Sequence, residues 1–222
     1  MPAPTAGVPD PDPEAARLDA LGRLRILDTP PEEAFDRVAR IAARLFGVPI
    51  ALVSFIDARR QWCKARHGLE AHSFPRELAF CTHTVLGQGP LAVPDLAADP
   101  RFAGNPLVAA GPRLRFYAGA PLRTATGHNV GTVSVIDTRP RPDLGPERLG
   151  MLTDLADLVV ERLEARAAAE ALREEAQLHR QAGEELARAL ARRDELLREL
   201  RHRVGNTLQA AAAIAQVQAA QA

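Results

Sequence analysis

The apolar residues of the chain change period repeatedly, and each change marks an element boundary. From Glu14 to Leu27 they fall at Leu18, Leu21, Leu24 and Ile26, the spacing of a short amphipathic helix. Asp28-Thr-Pro-Pro31 stops it, because a residue before proline disfavours helix, and Asp28 or Thr29 is placed to cap the next helix. Glu32 to Phe46 carries Phe35, Val38, Ile41, Ala42 and Leu45 on one stripe, closed by Gly47. The period then shortens. Val48 to Ile56 is rich in β-branched residues, Asp57 to Arg60 makes a turn, and Gln61 to His67 returns as the hairpin partner. A short helix over Glu77 to Leu86 and a short strand over Leu91 to Asp95 come next. Asp95 to Arg113 holds Pro100, Gly104, Pro106, Gly111 and Pro112, so it reads as a loop with one helical turn. Leu114 to Leu122 and Asn129 to Ile136 are two more strands, joined by a turn at Thr126-Gly127-His128, and Arg139-Pro-Arg-Pro142 breaks the chain again.

Beyond Pro146 the spacing predicts one helix of more than seventy residues, interrupted only at Gly183 and Gly205. Leu152, Leu155, Val159 and Leu163 form its first stripe. Later, Leu186, Leu190, Leu197, Leu200 and Val204 alternate three- and four-residue steps, with Arg193 breaking the row once. That is a coiled-coil seam. Extended backwards, its register places Arg162 rather than Leu163 in the seam, so a phase shift is expected between about residues 160 and 172. A helix this long does not fit inside one small domain and is expected to dimerise the chain. The element order gives an α+β fold around an antiparallel sheet.

Composition narrows the function classes. The chain has 222 residues, enough for one domain and an extended element. Its formal charge is zero, which removes any net electrostatic case for nucleic acid or an anionic membrane. Every basic residue except Lys64 is arginine, and alanine is abundant, a coding bias more than a functional signal. No apolar run is long enough to span a bilayer and no targeting signal opens the chain, so a soluble, cytoplasmic protein is expected. Residues 1–13, rich in Pro, Ala and Asp, read as a disordered tail. Cys63 and Cys81 make neither a zinc pattern nor a disulfide framework, and His67, His72 and His128 read as surface residues with no metal-site spacing.

One constellation carries chemistry. His202 lies two residues past a seam position, at the outward f position of the heptad, with Glu199 at i−3 and Asn206 at i+4 on the same face. An imidazole on a rigid helix, aimed at solvent beside a carboxylate and an amide, can attack a phosphoryl donor. From spacing alone, an exposed polar residue on a charged helix is the commoner outcome. Glu199-Leu-Arg-His202-Arg203-Val-Gly-Asn206-Thr-Leu-Gln209 resembles the phosphoacceptor motif of one class of bacterial sensor histidine kinases, E-x-x-H-R-V-x-N-x-L-Q. The resemblance implies that His202 is the phosphoacceptor, with Glu199 polarising the ring, Arg203 steadying phosphoryl charge and Asn206 orienting the site. Gly205 stands where that class usually has lysine, and glycine inside a helix costs about 1 kcal/mol relative to alanine.

A second resemblance covers residues 14–165. Leu27-Asp-Thr-Pro-Pro, Phe35-Asp36, Pro49-Ile-Ala-Leu-Val-Ser, Arg60-Gln-Trp62, Phe80-Cys81, Asp99-Pro-Arg-Phe102 and Arg115-Phe-Tyr-Ala-Gly-Ala-Pro-Leu122 resemble a bacterial sensory GAF domain. This branch stands ahead of histidine kinases and cyclic-dinucleotide enzymes. It implies a six-stranded antiparallel sheet with helices on one face and a small-molecule pocket on the other. Trp62, Phe80, Cys81, His83, Arg101, Arg115 and Tyr117, with Phe102 and Phe116, are the groups available to such a pocket. The plainer expectation is that Phe80, Phe102 and Phe116 are core and that Arg115 pairs with Asp95 or Asp99. Cys81-Thr-His83 lacks the adjacent cysteine and histidine of bilin-binding relatives, and the N-K-x-D-E run of cyclic-nucleotide binders is absent. Cys63 and Cys81 are the candidates for redox sensing, and a free-methionine-sulfoxide reductase would need a larger cluster of cysteines.

These readings divide the chain into a tail (1–13), a GAF sensory domain (14–165), a signalling coiled coil (166–193) and part of a phosphoacceptor helix (194–222). No Asn-rich or Gly-rich ATP-binding box occurs in the 222 residues, and the second helix of a phosphoacceptor hairpin is not among them. The expectation is a sensing and phosphoacceptor part of a cytoplasmic two-component kinase, inactive alone and needing no cofactor or metal of its own. ATP and Mg belong to a kinase domain acting from elsewhere, and a homodimer, a response regulator and a small ligand are the expected partners. The alternative is a dimeric GAF binding or adaptor module without phosphotransfer.

Overall fold

The structure, a computed structural model, describes residues 13–219, with side chains placed as far as Gln209. The tail expected over 1–13 lies outside the described residues except for Pro13. The chain divides into two compact units, residues 1–168 and 169–222.

The first unit is built on the two predicted hairpins. Strands β1 (Ile50–Ile56) and β2 (Arg60–His67) form one, and β5 (Phe116–Arg123) and β6 (Asn129–Asp137) form the other. β1 and β6 pair antiparallel in the middle, and β3 (Ser73–Pro75) and β4 (Leu91–Val93) close the edges. The sheet order is β3-β2-β1-β6-β5-β4, antiparallel throughout. β3 escapes sequence reading because three residues ending in proline carry no period, and proline is tolerated there because the strand is an edge.

Both faces of the sheet are covered, so β1 is buried at every position and shows no polar alternation. Its residues still alternate by face. Ala51, Val53 and Phe55 join Phe35, Phe46, Leu152 and Val159 in a core under α1 (Pro13–Arg23), α2 (Glu33–Phe46) and the start of α5 (Gly145–Ala219). Ile50, Leu52 and Ile56 join Phe80, Leu96, Phe102 and Tyr117 in a second core. That core is covered by α3 (Phe80–Leu86), α4 (Pro106–Ala109) and the loops around them. α3 is shorter than expected, since Arg76–Leu78 forms a separate 3-10 turn that ends at extended Ala79.

Two expectations are corrected. Neither Asp28 nor Thr29 caps α2; its N-cap is Glu32, and Thr29 instead donates its hydroxyl to the Ile26 carbonyl. Arg115 does not pair with Asp95 or Asp99, because its guanidinium donates to the Val108 and Leu114 carbonyls at 2.9 and 3.1 Å, while Asp99 is taken by Arg101 at 2.6 Å. The Gly47 prediction holds: it sits at φ 62° and caps α2 through its backbone N–H. Gly68, at φ 70° after β2, lies so close to the Pro49 carbonyl that any side chain would collide with it.

Among the described residues no helix is long and apolar enough to cross a membrane. α1 is pinned instead by charge. Buried Arg17 donates to the Ile56 carbonyl at 2.7 Å and chelates Glu14 at 2.8 Å, and Arg76 reaches the same carboxylate at 2.6 Å. The Arg17 hydrogen bond, then that from Arg76, holds the Glu14 carboxyl down at about 2 against an ordinary 4.5. A depressed carboxylate pKa stabilises the fold fully above the unfolded value and loses that contribution as pH falls from about 4.5 through 2. Glu14→Gln is therefore expected to cost on the order of 2 kcal/mol at pH 7 and almost nothing near pH 2. Urea melts of both proteins across that range check it; a pH-independent difference would contradict the assignment.

Candidate functional site

On the second-core face the strands carry a row of polar side chains among apolar neighbours. Ser54 in β1 and Thr132 and Ser134 in β6 are completely buried. Gln61 Nε2 donates to Ser54 Oγ at 3.1 Å, and Ser54 and Thr132 share a hydrogen bond at 3.2 Å. Cys81, entering from α3, has its Sγ 3.8 Å from Ser54 Oγ and 3.7 Å from Ser134 Oγ. Beside it the Tyr117 hydroxyl, wholly buried, bonds Thr84 Oγ1 at 2.7 Å. The result is a hydroxyl and thiol floor roofed by α3. Sequence reading missed Ser54, Gln61, Thr132 and Ser134. The available signal was that Thr132 and Ser134 are the polar residues at period two in an otherwise apolar strand.

A cavity of about 50 Å³ lies against this floor, lined by Leu52, Gln61, Phe74, Phe80, Cys81 and Leu114 among others. It is several-fold smaller than the roughly 300 Å³ at which ligand pockets begin. Of the sequence-predicted pocket groups, Phe80 and Cys81 line it, and Tyr117 packs on Phe80 at 5.7 Å between centroids. His83 stands edge-on to Phe102 at 4.7 Å, and Arg101 lies over that ring while bonded to Asp99. Trp62 is not with them: it belongs to the core on the other face and packs on Phe55. Phe80, Phe102 and Phe116 are core, Phe116 on the helix-covered face.

Burial, with the nearby Cys81 sulfur, pushes the Cys63 thiol up to about 12. Burial also raises the Tyr117 phenol and, on the partly exposed side, lowers the His83 imidazole, with Arg101 adding to the latter. At pH 8 the Cys63 thiol is therefore almost wholly protonated. Native protein is expected to leave Cys63 unmodified by iodoacetamide over an hour at pH 8, and unfolded protein to alkylate it fully, as read by mass spectrometry. Rapid native labelling would overturn the buried assignment.

On the opposite face one cluster joins the sheet to α5. Lys64, with its side chain wholly inaccessible, spends its three donors on Thr29 Oγ1, the Pro30 carbonyl and Glu32 Oε1 at 2.7, 2.7 and 2.8 Å. Glu32 also faces α5, with Arg166 Nε at 3.3 Å and Arg162 at 3.9 Å. Arg166 donates to the Leu24 and Arg25 carbonyls as well. Gln61 and Cys63, the pocket-side neighbours of Lys64 along β2, are thus one strand's thickness from groups that hold α5.

In the second unit, His202, Glu199, Arg203 and Asn206 are all exposed on α5. Glu199 accepts from Arg203 at 2.5 Å, so its partner is the guanidinium rather than the ring. The Asn206 amide nitrogen Nδ2 lies 3.3 Å from His202 Nδ1. Leu186, Leu190, Leu197, Leu200 and Val204 are exposed apolar residues of the single chain.

The GAF domain family model matches residues 30–163. Over 155 residues the chain is 42% identical to a cyclic di-GMP phosphodiesterase of Pseudomonas aeruginosa, a match covering 70% of this chain and 26% of that protein. The chain therefore spans about a quarter of the length of that relative. Among solved structures, it is similar to a domain described as from a two-component sensor histidine kinase of Sinorhizobium meliloti 1021. The TM-score is 0.53 at 18% identity, covering 64% of this chain and 97% of the other. It is similar also to the GAF domain of an Acinetobacter phosphoenolpyruvate-protein phosphotransferase, with TM-score 0.51 at 16% identity, covering 70% and 98%. At such identities the likeness is one of fold. The six-stranded antiparallel sheet, its flanking helices and the matched residues agree, and the chain belongs to the GAF domain family.

Proposed function

We propose that the chain is a signal-sensing GAF module whose α5 presents His202 as a phosphoacceptor, working as a cytoplasmic homodimer. The observation that carries this reading is the exposed Glu199-x-x-His202-Arg203-x-x-Asn206 constellation, with an amide at ring nitrogen Nδ1. His202 attacks the γ-phosphorus of ATP held with Mg by a kinase domain; the bond to the β,γ-bridging oxygen breaks, ADP leaves, and the imidazole carries the phosphoryl group to a response-regulator aspartate. For attack through Nε2, that nitrogen must keep its lone pair, so the proton resides on Nδ1. As placed, Asn206 presents its amide nitrogen Nδ2 to Nδ1; in the reacting state the amide reverses, so that Oδ1 accepts the hydrogen bond from Nδ1–H and selects the productive tautomer. Arg203, paired with Glu199 one turn away, supplies positive charge near the incoming phosphoryl oxygens. A ligand or a change of packing at the Cys81 floor alters β2, and the Lys64–Glu32–Arg166 cluster passes that change to α5.

The second reading is a GAF module feeding another output, with His202 an ordinary surface residue. The 42% identical relative, a cyclic di-GMP phosphodiesterase, favours it. Labelled ATP separates the two readings. The 222-residue chain alone is expected to take no label. With a histidine-kinase ATP-binding domain added in trans it is expected to gain acid-labile phosphate that a response-regulator receiver domain removes. No incorporation with several such domains supports the second reading.

A further inference from the structure

The part of α5 that belongs to the first unit, residues 145–168, is held by α2 at both ends. At the C-terminus of α2 the last four carbonyls have no partner within the helix. Those of Ala43 and Arg44 accept from the backbone N–H groups of Val48 and Gly47. The Leu45 carbonyl accepts from Arg148 in the first turn of α5, and the Phe46 carbonyl accepts from Arg141 at 3.0 Å. Arg141 also bonds the Gly47 carbonyl and, at 2.7 Å, the carboxylate of buried Asp137. At the other end Glu32, the N-cap of α2, faces Arg162 and Arg166. Leu45 and Glu32 are thirteen residues apart on α2, and Arg148 and Arg162 fourteen apart on α5, so both spans are about 20 Å and the helices run antiparallel.

The two ends differ in strength. Arg141 stands between Pro140 and Pro142, which restrict its backbone, and its carboxylate partner is shielded from water. Gly145, at φ 66° with open space around it, is the position where the chain can turn between Arg141 and α5. At the exit, Arg166 approaches Glu32 at 3.3 Å, and Arg162, half exposed, at 3.9 Å. Arg166 and Lys64 moreover share one oxygen, Glu32 Oε1, and Lys64 is the closer at 2.8 Å. A shift of β2 that carries Lys64 therefore draws this oxygen away from Arg166. We propose that residues 145–168 form a one-ended lever: Arg141 and Arg148 fix the entry, Gly145 is the pivot, and Glu32 is a catch whose release frees the exit. The lever rests on the step from β2 to α5 in the functional reading above, and no phosphoryl transfer enters its test.

Nitroxide labels on the full chain read each end by double electron–electron resonance. Arg37→Cys with Ala165→Cys spans the exit, and Arg44→Cys with Asp154→Cys spans the entry; all four positions are exposed, and native Cys63 and Cys81 are buried. Excess unlabelled chain restricts the signal to distances within one molecule. Glu32→Ala, and independently Arg166→Ala, is expected to widen the exit distribution about twofold and leave the entry distribution as it was. Arg141→Ala is expected to widen the entry distribution. Glu14→Gln, which weakens the fold at α1, serves as the control and is expected to change neither pair. An exit distribution unmoved by both Glu32→Ala and Arg166→Ala overturns the catch. Equal widening of both pairs in Glu32→Ala, or widening in Glu14→Gln, overturns the lever, because the stretch then loosens as one body. An entry distribution unmoved by Arg141→Ala overturns the fixed end. Phosphorylation of His202 is measured separately, so its failure leaves each of these outcomes readable.

Discussion

Glu32→Ala is expected to lower the stability of the sensor domain by about 3 kcal/mol, the low end for breaking one side of a buried ion pair. At the roughly 3 °C per kcal/mol of a domain this size, the melting temperature falls by about 10 °C. The loss is large because Lys64 is wholly inaccessible and has no water to turn to. Its remaining partners, Thr29 Oγ1 and the Pro30 carbonyl, are neutral oxygens. Arg162 and Arg166 also lose the carboxylate that faces them from the start of α2. Because Glu32 is itself partly exposed, the cost stays near 3 rather than 5 kcal/mol. Lys64→Met alone removes the charge and keeps the volume. The double variant is expected to recover most of the Glu32→Ala loss, since no uncompensated ammonium then remains. Denaturant melts of the four proteins measure the coupling, and strict additivity would show that the pair does not interact.

Asn206→Leu is expected to slow phosphorylation of His202 by on the order of 30-fold, the equivalent of about 2 kcal/mol for a lost hydrogen bond to a group becoming charged. Leucine has no acceptor for Nδ1–H, so the proton divides between the two nitrogens and Nε2 loses part of its nucleophilic population. Asn206→Asp retains an acceptor and is expected to stay within a few-fold of the parent. His202→Gln is expected to reach background. Since all these side chains are exposed on a helix, the variants leave folding unchanged. Equal rates for the leucine and aspartate variants would remove Asn206 from the chemistry.

Much of the fold is legible in the residues because its elements are bounded by strong punctuation. Asp57 to Arg60 fixes the first hairpin, Thr126-Gly127-His128 the second, and Gly47 ends α2 in the left-handed conformation that favours glycine. The 106–109 helical turn within the proline-rich loop is equally readable, with Asn105 accepting from the Leu107 N–H as its cap. The unreadable parts depend on partners far apart in sequence. Trp62 looks like a pocket aromatic until the β1–β2 bulge and the sheet's two cores assign it to the helix-covered face. Lys64 stands out in sequence only as the chain's single lysine, yet it gathers Thr29, Pro30 and Glu32 from more than thirty residues away. In the long helix, period alone does not show that the stripe of Leu152, Leu155, Val159 and Leu163 is buried in its own domain while Leu158 between them is exposed.

The phosphoacceptor motif is legible as a spacing, and the structure adds which side chains meet. Glu199 reads in sequence as the ring's carboxylate partner, but an arginine four residues on captures it at 2.5 Å. Asn206, also four residues from its partner, is left to the ring.

The most direct measurement is to label the chain with ATP in the presence of a histidine-kinase ATP-binding domain, digest it at neutral pH, and locate the phosphate by mass spectrometry. One acid-labile phosphoryl group is expected on the peptide containing His202, lost in His202→Gln. Phosphate on another residue, or none with His202 intact, would contradict it.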